Sequence, residues 1–294
     1  MSTVLVAGAS GTLGRRVVSA AREQGFKVRA LGRLRSSLES LGADEIALAE
    51  PVVGAGLDEA MAGVETVISA LGASVSPEFG KGYRGFEAVD RPANLALIRA
   101  AERARVRRFV YVSMAGHREG AHLAYVRAHE AVVQALAASK LDHAVLRPTG
   151  FFAAFGAMVE MAAKGPLPIL GDPEVKTNPI DEADLAERCI ELARQPELAG
   201  ADIELGGPEI FSRRQIAELA FHVHGRPSKL RRLPNWVVST MAFLMRPLNP
   251  RVSDLLRFVL SVSNRDCVAP SYGNRRLEDY FARLVRTSPL RISG

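Results

Sequence analysis

The fold is indicated by residues 4–14, VLVAGASGTLG, in which an apolar run leads directly into three glycines. Residues 4–7 are apolar at every position, as a parallel strand covered on both faces should be. Gly8 permits a tight turn from this strand into a helix, Gly11 lets the backbone approach a pyrophosphate, and Gly14 lets the helix pack closely on the strand. Backbone N–H groups of the first helical turn then face the phosphates. This stretch predicts a dinucleotide-binding site, and the alternative is a purely structural glycine turn.

The first 150 residues alternate short β-branched runs with helical patterns, which is typical of a parallel sheet with crossover helices. We expect strands at 4–7, 27–31, 45–48, 64–70, 108–112 and 143–146, and helices at 11–24, 36–41, 57–61, 91–105 and 124–139. The predicted fold class is α/β, with a Rossmann doubly wound parallel sheet in residues 1–150.

The second half of the chain, residues 151–294, is predicted to be a smaller and mainly helical substrate region, although some of its elements could return to the main sheet. We expect helices at 151–163, 182–194, 212–222 and 276–285, two more helices within 234–260, and a strand at 203–205.

The residues after the second strand bear on the choice between NAD and NADP. An NAD site usually has an acid about 20 residues beyond the glycines, where it accepts hydrogen bonds from the ribose hydroxyls. This chain has Arg33 there and no acid, and Arg35 stands close by. A guanidinium in that place could clamp a 2′-phosphate, which favours NADP. The alternative is an arginine on an ordinary surface.

Composition limits the other classes of function. The 294 residues are 48% apolar and 24% charged, with a net charge of +6, as in an ordinary globular protein. The basic residues are scattered and match no nucleic-acid-binding motif, so we expect no nucleic-acid partner. Cys189 and Cys267 fit free thiols, and we expect no metal because His222 and His224 point apart on a helix. The chain shows no secretion signal and no apolar run that could span a bilayer, so the expected location is cytoplasmic.

Several segments together resemble the atypical and extended short-chain dehydrogenase/reductases, specifically their NmrA-like NAD(P)-binding group. They are GASGTLG at 8–14, the Arg33 segment, SALG at 69–72, FVYVS at 109–113, LRPTGFF at 146–152, and NPID with DLA within 178–186. The resemblance covers most of residues 1–225, whereas residues 234–285 look like a subgroup with no settled activity.

The resemblance implies three groups of cofactor contacts. The residues that would contact the pyrophosphate are Ser10, Thr12 and Leu13. The residues that would line the ribose are Ala70, Leu71 and Gly72. The residues that would lie near the nicotinamide are Pro148, Thr149, Gly150 and Phe151. Glu50 stands about where the family often has an aspartate beside the adenine.

The resemblance also suggests catalytic residues. Catalytically complete members of the class use a serine, a tyrosine and a lysine four residues after the tyrosine. Ser113 and Tyr125 match the first two, whereas His129 replaces the lysine. Residues four apart share a helix face, so His129 could still reach the tyrosine or the ribose. His117 and His122 are further candidates for proton transfer. The alternative is a silent site with His129 on the helix surface.

Apolar residues after position 150 could wall a pocket for a hydrophobic substrate. They are Phe151, Phe152, Phe155, Met158, Trp236, Met241, Phe243, Leu244 and Met245. For each of them a place in the core is the first expectation, and a dimer contact or a membrane-surface helix beside Arg231 and Arg232 is an alternative.

The sequence therefore predicts an NADP(H)-dependent oxidoreductase, a monomer or a homodimer, that acts on a hydrophobic, aromatic or polycyclic small molecule. Its rivals are an NADP-sensing regulator and an assembly subunit, neither of which would turn over substrate.

Overall fold

The protein alternates strands and helices along its length in a computed structural model that describes residues 2–72 and 86–287. In chain order the elements are β1 (Thr3–Ala7), α1 (Thr12–Glu23), β2 (Lys27–Gly32), β3 (Glu45–Leu48), α2 (Leu57–Met61), β4 (Thr66–Ser69), α3 (Phe86–Arg103), β5 (Arg108–Val112), α4 (Ala124–Ala138), β6 (Asp142–Pro148), α5 (Gly156–Lys164), β7 (Leu167–Leu170), β8 (Lys176–Thr177), α6 (Glu182–Arg194), β9 (Ala201–Leu205), β10 (Phe211–Ser212), α7 (Arg213–His222), β11 (Leu230–Leu233), α8 (Asn235–Met245), α9 (Pro250–Val262) and α10 (Leu277–Thr287).

Seven of these strands form one parallel sheet in the order β3-β2-β1-β4-β5-β6-β9. The chain runs outward from β1 to β3 and then crosses back to β4 on the other side of β1. In sheets of this kind ligands bind at the carboxyl ends of the strands, at the point where the strand order reverses. That point lies between β1 and β4, directly above the glycine loop. The predicted Rossmann fold class is confirmed.

Both faces of the sheet are covered, as the unbroken apolar pattern of β1 predicts. Val4 and Val6 point into a buried cluster with α1 and α6, whereas Leu5 points into a second cluster with α2, α3 and α4. The alternation follows from the two-residue period of a strand.

Two elements from the second half of the chain complete this sheet. Strand β9 pairs in parallel with β6, and α6 packs against α1 on the first face. The sequence left open whether elements beyond residue 150 return to the main sheet. They do so at residues 182–205. A third apolar cluster, which includes Phe152, Phe221 and Phe281, joins α5, α7 and α10.

Helices α8 and α9 form a hairpin that packs against α4 through α9. Four apolar residues of α8 that we expected in the core are instead exposed, namely Trp236, Met241, Phe243 and Leu244. The expectation is wrong because α8 is apolar around much of its surface, while only one of its faces meets α9. No helix in the described ranges is long and apolar enough to cross a bilayer.

Three predicted helices differ clearly from the structure. The helix expected at 151–163 begins only at Gly156, after a 3-10 turn at Phe152–Phe155. Helix α3 begins at Phe86 rather than at 91. Residues 36–41 form two short 3-10 turns, Arg35–Ser37 and Glu39–Leu41, instead of one helix. The Ser37 hydroxyl donates to the Leu34 carbonyl at 2.7 Å, and a side chain that bonds to nearby backbone in this way competes with helical hydrogen bonding.

Candidate nucleotide-binding and active site

The glycine loop joins β1 to α1 with very little space around it. Gly8 has φ +77°, and a Cβ atom added there would lie 2.7 Å from the Ala70 carbonyl oxygen. A Cβ atom on Gly14 would lie 2.0 Å from the Gly8 oxygen. The N–H of Gly11 donates to that same oxygen at 3.0 Å. The turn at Gly8 and the packing of α1 at Gly14 thus require glycine, as predicted, and the structure adds a close approach of Gly8 to the end of β4.

The amino end of α1 is open to a ligand. The helix begins at Thr12, no side chain caps it, and its first turn holds no acid. The guanidinium of Arg15 donates to the Ser10 carbonyl at 2.9 Å and so holds the loop. Uncapped N–H groups and the positive end of a helix dipole suit a pyrophosphate. Residues 8–14 therefore fit the phosphate group of a dinucleotide.

The end of β4 lies beside this loop and is fixed by a buried hydrogen-bond network. Ser69 donates from Oγ to Asn94 Oδ1 at 2.7 Å, and Asn94 Nδ2 donates to the Leu71 carbonyl at 3.0 Å. Both polar side chains are fully buried. The Ala70 N–H donates to the Ala7 carbonyl at 3.1 Å. The structure thus brings the predicted ribose-lining residues next to the predicted pyrophosphate loop.

Arg33 lies at the same edge of the sheet. Leu31 of β2 pairs with Ala7, the last residue of β1 before Gly8. Arg33 is two residues after Leu31 and therefore lies at the same end of the sheet as the glycine loop. Its side chain is exposed and immediately follows β2. Glu50, the expected neighbour of the adenine, forms a backbone bridge with Ala55 in the turn after β3.

The third predicted group, residues 148–151, is held by bonds from distant segments. Thr149 donates from Oγ1 to the Asn178 carbonyl at 2.6 Å, and the Gly150 carbonyl accepts from the Ile180 N–H at 2.8 Å. The fully buried Asn178 amide in turn donates to the carbonyls of Gly207 and Ala269 at 3.1 and 2.8 Å. Asn178 therefore positions this loop, a role that sequence reasoning missed although it noted the NPID motif.

Tyr125 and His129 are brought together, one turn apart on α4. Their ring centroids are 4.7 Å apart, and the Tyr125 ring also contacts Phe86 and Phe258, each at 4.8 Å between centroids. His129 is only 5% exposed, and its Nδ1 forms a 2.7 Å hydrogen bond with the Tyr111 hydroxyl. The alternative of His129 as a helix surface residue is wrong, because its ring packs between α4 and β5.

Burial decides the protonation of this pair. Burial, and after it the nearby positive charge of Arg147, lowers the pKa of His129 to about 4. His129 is therefore neutral at neutral pH and does not supply the charge of a lysine. Burial, together with the negative charge of Asp90, raises the pKa of Tyr125. Tyr125 thus stays protonated at neutral pH, so that its hydroxyl is a hydrogen-bond donor and a tyrosinate base is disfavoured.

Asp90 links this pair to the end of β4. The carboxylate lies close to Gly72, because a Cβ atom added to that glycine would be 3.8 Å from Asp90 Oδ2. Sequence reasoning missed both Asp90 and Asn94. Their spacing of four residues within an apolar helical pattern is a signal that could have found them, since it places both on one helix face.

Ser113 follows β5 and is nearly buried against Arg147. The Arg147 Nη1 donates to the Ser113 hydroxyl at 3.4 Å, while Arg147 forms ion pairs with Glu130 and Asp202, both at 2.5 Å. No hydrogen bond joins Ser113 to Tyr125 in the part of the chain that the structure describes. Of the other candidate bases, His117 lies 3.5 Å from a Glu204 carboxylate oxygen.

A model of the NAD(P)H-binding family matches residues 8–196, which is more than half of the chain. The chain belongs to the NAD(P)H-binding family. The match begins at the first glycine of the loop and extends through α6, so it contains the loop, Arg33, the end of β4 and the Tyr125 pair. The nicotinamide nucleotide expected from the sequence is confirmed at this level.

Of two relatives of this NAD(P)H-binding protein, one is named as an enzyme and the other as an assembly factor. The divinyl chlorophyllide a 8-vinyl-reductase of Oryza sativa subsp. indica, named as chloroplastic, is 28% identical over 97% of this chain and 79% of that protein. The photosystem II assembly factor Ycf39 of Trieres chinensis is 26% identical over 89% of this chain and 83% of its own length. The expected cytoplasmic location of this chain stays a prediction.

Solved structures support the fold. The NADPH-dependent quinone oxidoreductase QOR2 of Escherichia coli, in complex with NADPH, superposes with a TM-score of 0.75 over 96% of this chain and 99% of that chain. The sequences are 19% identical, so this likeness concerns the fold. Together, these findings establish an NAD(P)H-binding protein with a reductase-like fold.

Proposed function

We propose that the protein is an NADP(H)-dependent reductase of a hydrophobic, aromatic or polycyclic small molecule. The observation that carries the cofactor choice is Arg33, an exposed guanidinium that follows β2 at the edge where the glycine loop lies, in the position where an NAD site usually has an acid. Binding of NADPH by QOR2 is consistent with this choice.

The cofactor would be held along one edge of the sheet. Residues 8–14 would bind the pyrophosphate, Arg33 the 2′-phosphate, residues 70–72 the ribose, and residues 148–151 would lie against the nicotinamide. When bound, NADPH supplies a hydride. The protein's own residues orient the substrate and deliver the proton.

The direction of the reaction is proposed to be reduction. The pKa of Tyr125 is raised by burial and by the charge of Asp90, so its hydroxyl keeps its proton at neutral pH. A protonated tyrosine can donate to a carbonyl oxygen or to a reduced double bond, whereas the reverse reaction requires a base. Ser113 would hydrogen-bond the substrate at the same edge. The name of the rice relative, a vinyl-reductase, agrees with this direction.

A second candidate is a protein that binds NADP without turnover and acts on a protein partner, as a sensor or an assembly subunit. Specific support comes from His129, which is neutral and buried at the place of the lysine that activates the tyrosine in complete enzymes of the class it resembles. The relative named as an assembly factor also favours this reading.

The two candidate functions differ in whether binding of a hydrophobic ligand depends on bound nucleotide. A panel of hydrophobic ketones, quinones and conjugated alkenes would be screened by the shift in melting temperature, with and without NADPH, and then by loss of NADPH absorbance. A reductase requires a ligand that shifts the melting temperature only with nucleotide and that is reduced.

Variants give this screen a control. Tyr125→Phe should lower the rate of NADPH oxidation by about a hundredfold or more, the usual contribution of a proton donor, with NADPH binding retained. Ser113→Ala should lower it by about tenfold, because one hydrogen bond to the substrate is lost. Ser139→Ala is the matched control, since Ser139 ends α4 at the opposite edge of the sheet. Tight NADPH binding with no coupled ligand and no turnover across the panel would favour the sensor instead.

A further inference from the structure

Five of the twelve exposed large apolar residues in the described ranges lie on helix α8 or in the turn that follows it. Trp236 is 69% exposed, Phe243 74% and Leu244 59%, and Leu248 in the turn that follows is 70% exposed. Trp236, Phe243 and Leu244 stand at positions i, i+7 and i+8, so they form one stripe along the helix. A continuous apolar stripe in water usually marks a docking surface.

The opposite face of α8 anchors the helix to the protein. Val238 and Ala242 are buried, and the Ser253 hydroxyl on α9 donates to the Ala242 carbonyl at 2.7 Å. Asn249 caps α9 through a hydrogen bond from the Val252 N–H. Helix α8 is thus held by its inner face, and the exposed stripe is not needed for folding of the hairpin.

The segment that carries this stripe is basic, although Asp254, the next residue on α9, interacts electrostatically with Arg246. Residues 219–253 contain no acidic residue, and their basic residues are Arg226, Lys229, Arg231, Arg232, Arg246 and Arg251. Arg231 and Arg232 are exposed just before α8, and Arg246 is exposed just after it. An apolar helix face between exposed arginines, with a tryptophan in its first turn, is the pattern of a helix that lies in a membrane interface.

We propose that the α8 face, defined as Trp236, Phe243, Leu244 and Leu248 with the arginines at both ends of α8, docks on an anionic lipid surface. Charge complementarity selects this occupant, because phosphate head groups would pair with the arginines while the apolar stripe enters the acyl boundary. A second copy of the chain seated on the same face would instead bring like charges together. The proposal is independent of the reductase activity.

The docking hairpin also forms part of the surroundings of the candidate site. Phe258 of α9 contacts the Tyr125 ring at 4.8 Å between centroids. The membrane-facing hairpin is therefore one wall around the proposed proton donor.

Trp236 is the only tryptophan in the chain, so its fluorescence reports on α8 alone. The 294-residue chain would be mixed with vesicles of phosphatidylcholine with or without phosphatidylglycerol. We expect a blue shift of the emission and co-sedimentation with the anionic vesicles, both weakened by added salt because screening reduces charge attraction. Brominated lipids should quench the emission.

Variants separate the apolar and the charged contributions. Phe243→Ser with Leu244→Ser should weaken partitioning into anionic vesicles by more than about tenfold, since two large apolar side chains no longer enter the lipid. Arg231→Gln with Arg232→Gln should reduce the preference for anionic lipid. Ile210→Ser is the matched control, because Ile210 is 54% exposed and lies outside the hairpin.

Three results would overturn the proposal. They are the absence of a fluorescence shift with either vesicle, equal binding to neutral and anionic vesicles, and a lipid-independent shift that accompanies a dimer in sedimentation velocity. Calorimetric binding of NADPH by each variant would be measured in parallel. Loss of vesicle binding with nucleotide binding intact tests the docking surface alone, and failure of nucleotide binding concerns only the proposed function.

Discussion

Substitution of Gly14 by alanine tests the close packing of α1 on the glycine loop. The new Cβ atom would lie 2.0 Å from the Gly8 carbonyl oxygen, whereas ordinary contacts begin at 3.4 Å, so helix and loop must separate by about 1.4 Å. Overpacking of this kind costs about 1–3 kcal/mol, and the clash with rigid backbone puts Gly14→Ala at the upper end. Alanine stabilises a helix by about 1 kcal/mol relative to glycine, which offsets part of this cost. We expect a net loss of about 2 kcal/mol in the free energy of unfolding.

The same displacement should lower both the melting temperature and the affinity for the nucleotide. A loss of about 2 kcal/mol corresponds to a fall in melting temperature of roughly 3 °C for a protein of this size. Because the N–H groups of α1 move away from the phosphate, NADPH affinity should fall by more than about tenfold. Differential scanning calorimetry and isothermal titration calorimetry measure the two effects.

Gly11→Ala is the matched control. Its Cβ atom would lie 3.2 Å from the Gly8 oxygen, a distance that a shift of a few tenths of an ångström relieves, and its φ of −72° suits alanine. We expect stability within about 1 kcal/mol of the natural protein, with weaker NADPH binding because the methyl group faces the pyrophosphate. A Gly14→Ala protein that is as stable as the natural one would refute the packing argument.

Two further predictions concern buried polar groups. His129 is neutral when folded with a pKa of about 4 against 6.5 in the unfolded chain, so its contribution to stability is complete above pH 6.5 and is lost as pH falls toward 4. The gap in unfolding free energy between the natural protein and His129→Gln should shrink by up to about 3 kcal/mol between pH 7 and pH 4 in urea titrations, and a constant gap would contradict the assigned burial. Asn178→Ala removes the amide that bonds to Gly207 and Ala269, so it should destabilise the protein by more than about 2 kcal/mol in chemical denaturation. An unchanged denaturation midpoint would show that Asn178 does not hold these segments.

Local signals in the sequence were sufficient for the first half of the fold. The packing of Gly14 on Gly8 joins residues that are close in the chain, and the predicted strand at 108–112 and helix at 57–61 have those limits in the structure. The alternation of short apolar runs with helical patterns then leaves few topologies, because parallel crossovers are right-handed. The observed order β3-β2-β1-β4-β5-β6, with its reversal between β1 and β4, is the usual order of the predicted Rossmann fold class.

The remainder depends on contacts between distant segments. His129 looks like a surface residue in a helical pattern, and its burial follows only from the contact with Tyr111 on β5. Trp236 and Phe243 look like core residues, and their exposure follows from the limited face that α8 shares with α9. Asn178 bonds to residues 29 and 91 positions away, which no local pattern reveals. A buried polar side chain that links several loops, such as Asn178, is therefore the feature that is hardest to predict from sequence.

The central claim, that this edge of the sheet binds NADP(H) through Arg33, is tested most directly by isothermal titration calorimetry. The natural protein, Arg33→Ala and the control Arg107→Ala, an exposed arginine beside the opposite end of the sheet, would be titrated with NADPH, NADP⁺, NADH and NAD⁺. We predict that the natural protein and the control bind the phosphorylated nucleotides about ten- to a hundredfold more tightly, and that Arg33→Ala loses this preference while it retains binding. Equal affinity for all four nucleotides, or a preference that survives Arg33→Ala, would contradict the role assigned to Arg33. The absence of any nucleotide binding would contradict the claim as a whole.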